Sequence, residues 1–311
     1  MPDRKSTARL GNAAKKPGSV RRIRARHGRK LDPQGWSRLL SRNRRDDMGT
    51  TNHSTNPFAV VTGASRGIGA AYARALAARG WNLLLVSRDG ARLEQLASEL
   101  TGRYGVQADI EIQDLGIEEA AQRLYAAARA RRPVVDLLVN NAGFGMYGDF
   151  AGMPMPRIQE MLRLHVNTVV EAMRLFLPVM IERRGGAIIN VASVAGFFAV
   201  PYLAEYAATK AFMVTFSEAV AEEVRPFGIR IQACCPGRTE TDFHATAGYR
   251  TTNVLGTQRP EEVVRRSLRA LERGRVVVTI GWRERAVTRL TRLVPRTVLA
   301  RAGARWMKAS R

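Results

Sequence analysis

The stretch from residue 58 to residue 79 constrains the fold of this chain most. Apolar residues 58–61 are followed by T-G-A-S-R-G-I-G at residues 62–69 and by an alanine-rich segment up to Arg79. Glycines at positions 63, 67 and 69 permit a tight turn and a close approach of the backbone to a ligand. Such a turn before a helix offers free backbone amides to a pyrophosphate. The stretch therefore predicts a strand–loop–helix unit that binds a dinucleotide, with the spacing G-x-x-x-G-x-G rather than G-x-G-x-x-G.

Short apolar segments alternate with segments of helical pattern along the rest of the chain. Apolar runs typical of strands lie at residues 58–61, 82–86, 106–112, 134–139, 187–191, 230–234 and 276–280. Strands that alternate with helices form parallel sheets covered by helices on both faces. We therefore predict a single α/β domain over residues 56–281, built on a doubly wound parallel sheet of about seven strands.

The end of the second predicted strand bears on which dinucleotide would bind. An acidic residue at this place would bind the ribose 2′-hydroxyl of NAD, but this sequence has Ser87 and Arg88 there. Together with Arg66 in the glycine loop, Arg88 suits a 2′-phosphate, because guanidinium groups match phosphate oxygens. The sequence thus favours NADP(H). If both arginines are ordinary surface residues, NAD(H) is the alternative.

Tyr206 and Lys210 are four residues apart among good helix formers, so they are expected to share one helix face. A nearby ammonium favours the phenolate, and the tyrosine pKa is expected to fall toward the operating pH, which suits proton exchange with a substrate oxygen. Ser193 follows the predicted strand at residues 187–191, where its hydroxyl would steady the same oxygen. Y-x-x-x-K alone occurs by chance in many helices, so its weight depends on the motifs around it.

Several motifs occur together in one order: T-G-A-S-R-G-I-G, N-N-A-G at residues 140–143, Asn167, Ser193, Y-x-x-x-K and P-G at residues 236–237. In this order and approximate spacing the chain resembles the short-chain dehydrogenase/reductase family over residues 58–281. The resemblance implies a Rossmann fold and an NAD(P)-dependent oxidoreductase acting on CH-OH or C=O groups. The whole catalytic set of the family is present, which favours an enzyme over a regulatory relative.

The resemblance also implies roles for individual residues. Tyr206 would be the general acid in reduction and the base in oxidation, while Lys210 would lower its pKa and hold the nicotinamide ribose. Ser193 would orient and polarise the carbonyl, and Asn167 would hold a water that links Lys210 to solvent. Asn140 would brace the central strands. The residues expected to contact the cofactor are Gly63, Ser65, Arg66, Gly67, Ile68, Gly69, Arg88, Asp114, Leu115, Asn141, Ala142, Gly143, Tyr206, Lys210, Pro236, Gly237, Thr239 and Thr241.

Aromatic and apolar residues beside these motifs are expected to line a substrate pocket. They are Phe144, Met146, Tyr147, Phe197, Phe198, Tyr202, Phe243 and Tyr249. Such walls suit a hydrophobic ketone or alcohol, for example a lipid, a steroid-like compound or a fatty acyl derivative. The alternative is that half of these residues belong to the core. The sequence leaves open whether the physiological reaction is reduction of a ketone or oxidation of an alcohol.

The net charge of +23 is concentrated at the two ends of the chain. Residues 1–47 hold 15 Lys/Arg and 4 Asp/Glu, and residues 273–311 hold 11 Lys/Arg and one Glu, which leaves +2 for residues 48–272. We predict that residues 1–55 form a disordered basic tail, unless the natural start is Met48. A nucleotide-sensing protein that binds nucleic acid through its basic ends is the alternative from another class, but no nucleic-acid reader motif supports it.

Residues 282–311 form a basic extension with helical periodicity. Its apolar positions are Trp282, Ala286, Val287, Leu290, Leu293, Val294, Val298, Leu299, Ala302 and Trp306, with arginines between them. Basic amphipathic helices with tryptophan bind the surface of anionic membranes. We predict amphipathic helices that either contact a membrane peripherally or pack on the catalytic domain or a second subunit.

Other features of the sequence favour a cytoplasmic protein. The chain has no uninterrupted apolar run of about 18 residues, so no membrane-spanning helix is predicted. Cys234 and Cys235 are adjacent and are expected to be small buried residues, which fits a reducing compartment. The four histidines lack ligand spacing, so no metal site is predicted. The family resemblance implies a homodimer or homotetramer through the helices that carry Asn167 and Tyr206.

Overall fold

One sheet of seven parallel strands organises the computed structural model, which describes residues 56–241, 256–291 and 293–308. The strands are β1 (Phe58–Thr62), β2 (Asn82–Ser87), β3 (Ala108–Ile112), β4 (Leu137–Asn140), β5 (Gly186–Val191), β6 (Ile229–Cys235) and β7 (Val277–Thr279). Their order across the sheet is β3-β2-β1-β4-β5-β6-β7. The predicted doubly wound α/β fold is confirmed. The predicted tail at residues 1–55 and the pocket residues Phe243 and Tyr249 lie outside the described residues.

Helices cover both faces of this sheet. They are α1 (Gly67–Ala77), α2 (Gly90–Tyr104), α3 (Ala120–Arg131), α4 (Met155–Leu162), α5 (Thr168–Arg183), α6 (Ala204–Val224), α7 (Pro260–Glu272), α8 (Trp282–Leu290) and α9 (Arg296–Lys308). On one face, α1, α2 and α7 pack in an apolar cluster with alternate residues of the strands, such as Ala59 and Val61 of β1. On the other face, α3, α5 and α6 pack against the remaining strand residues, such as Phe58 and Val60. Because both faces are covered, the central strands β1, β2 and β4 consist mainly of consecutive apolar residues rather than alternating ones.

The direction of winding reverses at β1, which pairs with β2 on one side and with β4 on the other. The connections after β1 and β4 therefore leave on opposite faces of the sheet and open a crevice at the carboxyl ends of these strands. Both the glycine loop and the N-N-A-G motif begin at this edge. The fold thus brings together motifs that are about 80 residues apart in the chain.

The helical segment Met155–Arg183 is interrupted by a π turn at Arg163–Asn167. With 29 residues and a mean hydropathy of 1.3, this segment is long and apolar enough to cross a membrane by length and composition alone. Val169, Met173 and Phe176 of α5 are buried in the core of the domain, however. The segment is therefore a core helix, and its apolar residues serve packing against the sheet.

Cys234 and Cys235, at the end of β6, are both fully buried free thiols. Burial raises the pKa of Cys234 to about 11, so the thiol stays protonated at neutral pH. The prediction that the two cysteines are small buried residues is confirmed.

Candidate active site

The glycine loop forms a tight backbone turn that leaves no room for side chains at its glycine positions. Gly63 and Gly67 have φ values of +63° and +55°, in the left-handed region that favours glycine. A β-carbon at Gly69 would lie 2.2 Å from the Gly63 carbonyl oxygen, so helix α1 approaches the turn only because position 69 is glycine. Helix α1 begins at Gly67 and so places its first backbone amides at this turn.

The two asparagines of N-N-A-G brace the strands beneath the crevice. Asn140 Nδ2 donates to Asn190 Oδ1 of β5 at 2.8 Å. Asn141 Nδ2 donates to the carbonyl oxygens of Thr62 and Gly63, at 2.9 and 3.2 Å. The side-chain amide of Asn141 therefore holds the glycine turn in place through two hydrogen bonds. The resemblance assigned bracing to Asn140 alone, and the structure extends it to Asn141.

Ser193, Tyr206 and Lys210 meet at the carboxyl end of β5. Ser193 precedes a short 3₁₀ turn, Val194–Phe197, and its Oγ accepts a hydrogen bond from Ala195 N at 3.2 Å. Tyr206 and Lys210 lie one turn apart on α6, as predicted, with Lys210 Nζ 5.6 Å from the centre of the tyrosine ring. Lys210 Nζ donates to the carbonyl oxygen of Val191 at 2.9 Å.

The Lys210 amine is buried, and burial lowers its pKa from 10.5 to about 8. Its nearest partners are the neutral Val191 carbonyl and the Met213 sulfur at 3.6 Å. Near neutral pH the amine is therefore mostly protonated but close to its titration range. The structure thus places a positive charge beside the Tyr206 ring with little solvent to screen it.

One cavity of about 780 Å³ at the carboxyl edge of the sheet joins the glycine turn to these three side chains. The predicted site residues that line it are Gly63, Ser65, Arg66, Gly67, Ile68, Arg88, Asp114, Leu115, Asn141, Ala142, Gly143, Ser193, Tyr206, Lys210, Pro236, Gly237, Thr239 and Thr241. Two predicted residues do not line it, Gly69 and Asn167. Gly69 is buried behind the turn, where it permits the close approach of α1.

Asn167 does not lie where the sequence predicted it. The π turn at Arg163–Asn167 separates α4 from α5 and carries both Asn167 and His165. A π turn changes which residues face inward. Asn167 is exposed, and the Lys210 amine is held by Val191 and Met213 instead.

His165, on the same turn, is the residue that sequence reasoning missed. Its side chain is fully buried, with Nδ1 3.0 Å from Thr209 Oγ1 on the Tyr206 helix. Its Nε2 accepts a hydrogen bond from Phe144 N at 3.2 Å. Because Thr209 Oγ1 donates to the Tyr206 carbonyl, the imidazole proton belongs on Nδ1. Burial holds the His165 pKa well below its usual value, so this imidazole stays neutral and ties α6 to the N-N-A-G loop. A lone histidine inside a helical pattern gave no signal of this role.

Arg88 extends from the end of β2 along the rim of the cavity, and its side chain is 62% exposed. Its guanidinium lies 3.6 Å from Asp114 and 3.4 Å from Glu160. Both pairs are exposed, so they hold the arginine only weakly. The guanidinium is thus positioned at the rim and remains accessible to a stronger anion.

The predicted pocket walls divide between the cavity and the core. Phe144, Met146, Tyr147 and Tyr202 pack around a small apolar cluster that includes Tyr206. Of the predicted wall residues, Phe144 and Phe198 line the cavity directly. Phe197, in the 3₁₀ turn, is instead half-buried and packs against the core cluster on the α5 and α6 face of the sheet. The apolar cluster therefore forms the wall beside the Tyr206 end of the cavity.

Both C-terminal helices contact the domain, but only part of the predicted apolar stripe takes part, since Val287 lines the cavity while other positions are exposed. In α8, the buried residues are Glu284 and Thr288, at 4% and 7% exposure. Trp282, Leu290 and Leu293 are instead 72%, 60% and 81% exposed. Helix α8 thus turns polar residues toward the domain and leaves large apolar residues in solvent, whereas in α9 the apolar residue Met307 is buried.

Comparisons with known proteins agree with this geometry. The sequence model of the short chain dehydrogenase family matches residues 57–251. A very-long-chain 3-oxoacyl-CoA reductase of Anas platyrhynchos is 37% identical over 184 residues, which are 58% of this chain and 58% of that protein. The match therefore covers little more than half of that reductase.

Solved structures share the fold as well. A short-chain dehydrogenase from Sphingobium yanoikuyae in complex with NADPH has a TM-score of 0.69 and 30% identity, over 76% of this chain and 94% of that one. A 3-oxoacyl-[acyl-carrier protein] reductase with bound NAD from Brucella melitensis has a TM-score of 0.63 and 27% identity, over 76% and 97% of the two chains. The family model covers more than half of the chain, and its motifs meet in one cavity. The chain belongs to the short-chain dehydrogenase family.

Proposed function

We propose that the chain is an NADP(H)-dependent oxidoreductase that reduces a hydrophobic carbonyl compound to a secondary alcohol. The observation that carries the proposal is the cavity lined by both the glycine turn and the Ser193, Tyr206 and Lys210 side chains. The turn is a cradle that β-carbons would fill, so the residues present fit the pyrophosphate of a dinucleotide. When bound, the nicotinamide supplies the hydride in reduction or accepts it in oxidation.

The chain's own residues handle the carbonyl oxygen and the proton. Ser193 Oγ accepts a hydrogen bond from Ala195 N, so its hydroxyl proton is available to hold a carbonyl oxygen. Tyr206 donates its phenolic proton to that oxygen in reduction and removes a proton in oxidation. The Lys210 ammonium beside the ring stabilises the phenolate that remains after the transfer.

The wall beside Tyr206 supports a hydrophobic substrate, since Phe144, Phe198 and Leu203 line this end of the cavity. Met146, Tyr147 and Tyr202 pack in the apolar cluster behind this wall. The two relatives described above as 3-oxoacyl reductases act, by name, on acyl chains with a keto group. We therefore favour 3-oxoacyl thioesters among the hydrophobic ketones. Assembly as a homodimer or homotetramer through α5 and α6 is part of the same proposal.

A substrate screen tests this function. NADPH oxidation would be followed with aliphatic, aromatic and steroidal ketones and with 3-oxoacyl thioesters, and the reverse reaction with the matching alcohols. We expect turnover with ketones that carry an apolar chain and little with small polar ketones. Binding of NADPH without turnover of any carbonyl compound in the screen would contradict the proposal.

Cofactor choice is expected to depend on Arg88. Replacing Arg88 by aspartate should raise the KM for NADPH by about ten- to a hundredfold, because a charge-assisted hydrogen bond to phosphate contributes roughly 1.5–3 kcal/mol. The KM for NADH should stay unchanged or fall, since an acidic group can bind the ribose hydroxyls. The control is Arg103→Asp, which makes the same charge change on the exposed end of α2. An equal loss with both cofactors would mean that Arg88 does not contact the 2′-phosphate.

We also propose that the C-terminal helices hold this enzyme peripherally on an anionic membrane on the cytoplasmic side. The exposed apolar residues Trp282, Leu290 and Leu293 stand among exposed arginines such as Arg285 and Arg289. The one acidic residue of the segment, Glu284, is buried and so does not offset this positive surface. Exposed apolar side chains beside positive charge complement the interface of a negatively charged bilayer.

Flotation with liposomes tests this placement. The full chain should float with vesicles that contain phosphatidylglycerol and remain unbound with pure phosphatidylcholine, and added salt should weaken the binding. The triple change Trp282→Ser, Leu290→Ser and Leu293→Ser should abolish flotation while ketone reduction in solution is retained. Ile112→Ser, which removes an equally exposed apolar side chain from strand β3, should float normally. Flotation of the triple variant would contradict the assignment.

A further inference from the structure

The last helix of the chain reaches back to the active site. Met307, in the final turn of α9, is 1% exposed and lines the cavity of about 780 Å³. Its side chain packs with Met161, Leu203 and Tyr206 in one apolar cluster. A residue that is about 100 positions from Tyr206 in the chain therefore forms part of the wall beside it.

Two further contacts hold α9 in this position. Tyr147 Oη donates a hydrogen bond to the Met307 carbonyl oxygen at 2.8 Å. A β-carbon at Gly303 would lie 3.3 Å from Pro201 Cδ, so the helix packs closely on the loop that precedes α6. That loop is joined in turn to Tyr147 by the hydrogen bond from Gly148 N to the Tyr202 carbonyl at 3.0 Å. Helix α9 thus contacts both loops that form the apolar wall.

The position of Met307 fixes which part of the cavity it closes. The glycine turn and Arg88 line the cavity beyond β1 and β2, whereas Met307 clusters with Tyr206 at the other end. A carbonyl compound held at Tyr206 would therefore have Met307 beside one of the groups on its carbonyl carbon. The long apolar side chain of methionine occupies space at this end of the cavity that a smaller residue would leave open.

We infer that α9 is a cap over the substrate end of the cavity and that Met307 limits the size of the group attached to the reacting carbonyl. The inference rests on the proposed function, because it concerns the substrate of the same site.

Substrate selectivity tests the role of Met307. In Met307→Ala, the ratio of kcat/KM for a bulky aryl ketone to that for a small ketone should rise by roughly tenfold, and in Met307→Trp it should fall by roughly tenfold. Tyr147→Phe, which removes the hydrogen bond to the cap, should shift the ratio in the same direction as Met307→Ala. Thr297→Ala, at an exposed position of the same helix, should leave the ratio unchanged. Active variants that all keep the wild-type ratio would overturn the inference while leaving the proposed function intact.

A labelling experiment tests the cap without any activity. Both native cysteines are buried, so an introduced cysteine is the thiol expected to react with a maleimide. Met307→Cys should react at least about tenfold more slowly than Ala302→Cys, an exposed position on the same helix, because labelling at 307 requires the cap to open. Equal labelling rates would show that α9 does not cover the cavity, whether or not the chain reduces ketones.

Discussion

Replacing Tyr206 by phenylalanine is expected to lower kcat for ketone reduction by about two to four orders of magnitude, the usual contribution of a positioned general acid. The substitution removes the phenolic proton and keeps the ring, which packs against Met161, Leu203 and Met307. The dissociation constant of NADPH should therefore stay near the wild-type value. Stopped-flow absorbance and fluorescence titration with NADPH would measure the two quantities separately.

Tyr125→Phe is the matched control for this variant. Tyr125 packs edge-on against Phe176 under the sheet, away from the cavity residues, so the loss of its hydroxyl should leave kcat unchanged. If Tyr206→Phe retained wild-type turnover, another group would have to supply the proton, and the assignment of Tyr206 would be wrong.

Replacing Lys210 by methionine is expected to lower kcat by about two orders of magnitude, because the phenolate then lacks the buried positive charge beside it. In the wild type, log kcat should show an inflection near the Lys210 pKa of about 8, since the ammonium loses its proton above that pH. Lys210→Met should lose this inflection. Lys210→Arg keeps the charge at every accessible pH and should lose the inflection as well, while retaining more activity than Lys210→Met.

The same residue predicts a pH-dependent effect on stability. The folded-state pKa of about 8 lies below the ordinary value of 10.5, so the buried ammonium destabilises the fold fully below pH 8. As the pH rises from about 8 toward 10.5, the folded state has lost the proton and the unfolded state still holds it, so the wild type gains stability from this group. The difference in unfolding free energy between Lys210→Met and wild type should therefore fall by about 3 kcal/mol over this range, since each pKa unit corresponds to about 1.4 kcal/mol.

Urea unfolding of both proteins below and above this range measures the difference. Loss of the hydrogen bond to the Val191 carbonyl is present at every pH, so it shifts both values equally. A difference that does not change with pH would mean that the Lys210 amine is solvated in the folded protein.

Features that depend on neighbouring residues were predictable from the sequence. The glycine turn after β1 needs positive φ values at Gly63 and Gly67, and such glycines are visible in the sequence. Tyr206 and Lys210 share a helix face because their spacing fits one turn of α6. The parallel sheet follows from the alternation of apolar strands and helices, although β4 begins at Leu137 rather than at residue 134.

Features that depend on distant packing were not predictable. The π turn before α5 removes Asn167 from the interior and buries His165, and no spacing rule signals a single inserted residue. The inward position of Glu284 and Thr288 differs from the face expected from hydrophobic periodicity. The Glu284 side chain fits there because Gly237 and Gly281, which lie against it, have no side chains. Met307 reaches the cavity only through the tertiary placement of α9, which the sequence pattern of that helix does not specify.

Deuterium transfer tests most directly the claim that the cavity joins a nicotinamide to the Tyr206 proton donor. NADPH carrying deuterium at C4 would be incubated with the wild-type chain and a ketone that it turns over, and the alcohol would be analysed by mass spectrometry. We predict one deuterium on the carbinol carbon, from only one of the two C4-labelled forms, and none in Tyr206→Phe within the same time. Alcohol without deuterium from both labelled forms would contradict direct hydride transfer in this cavity.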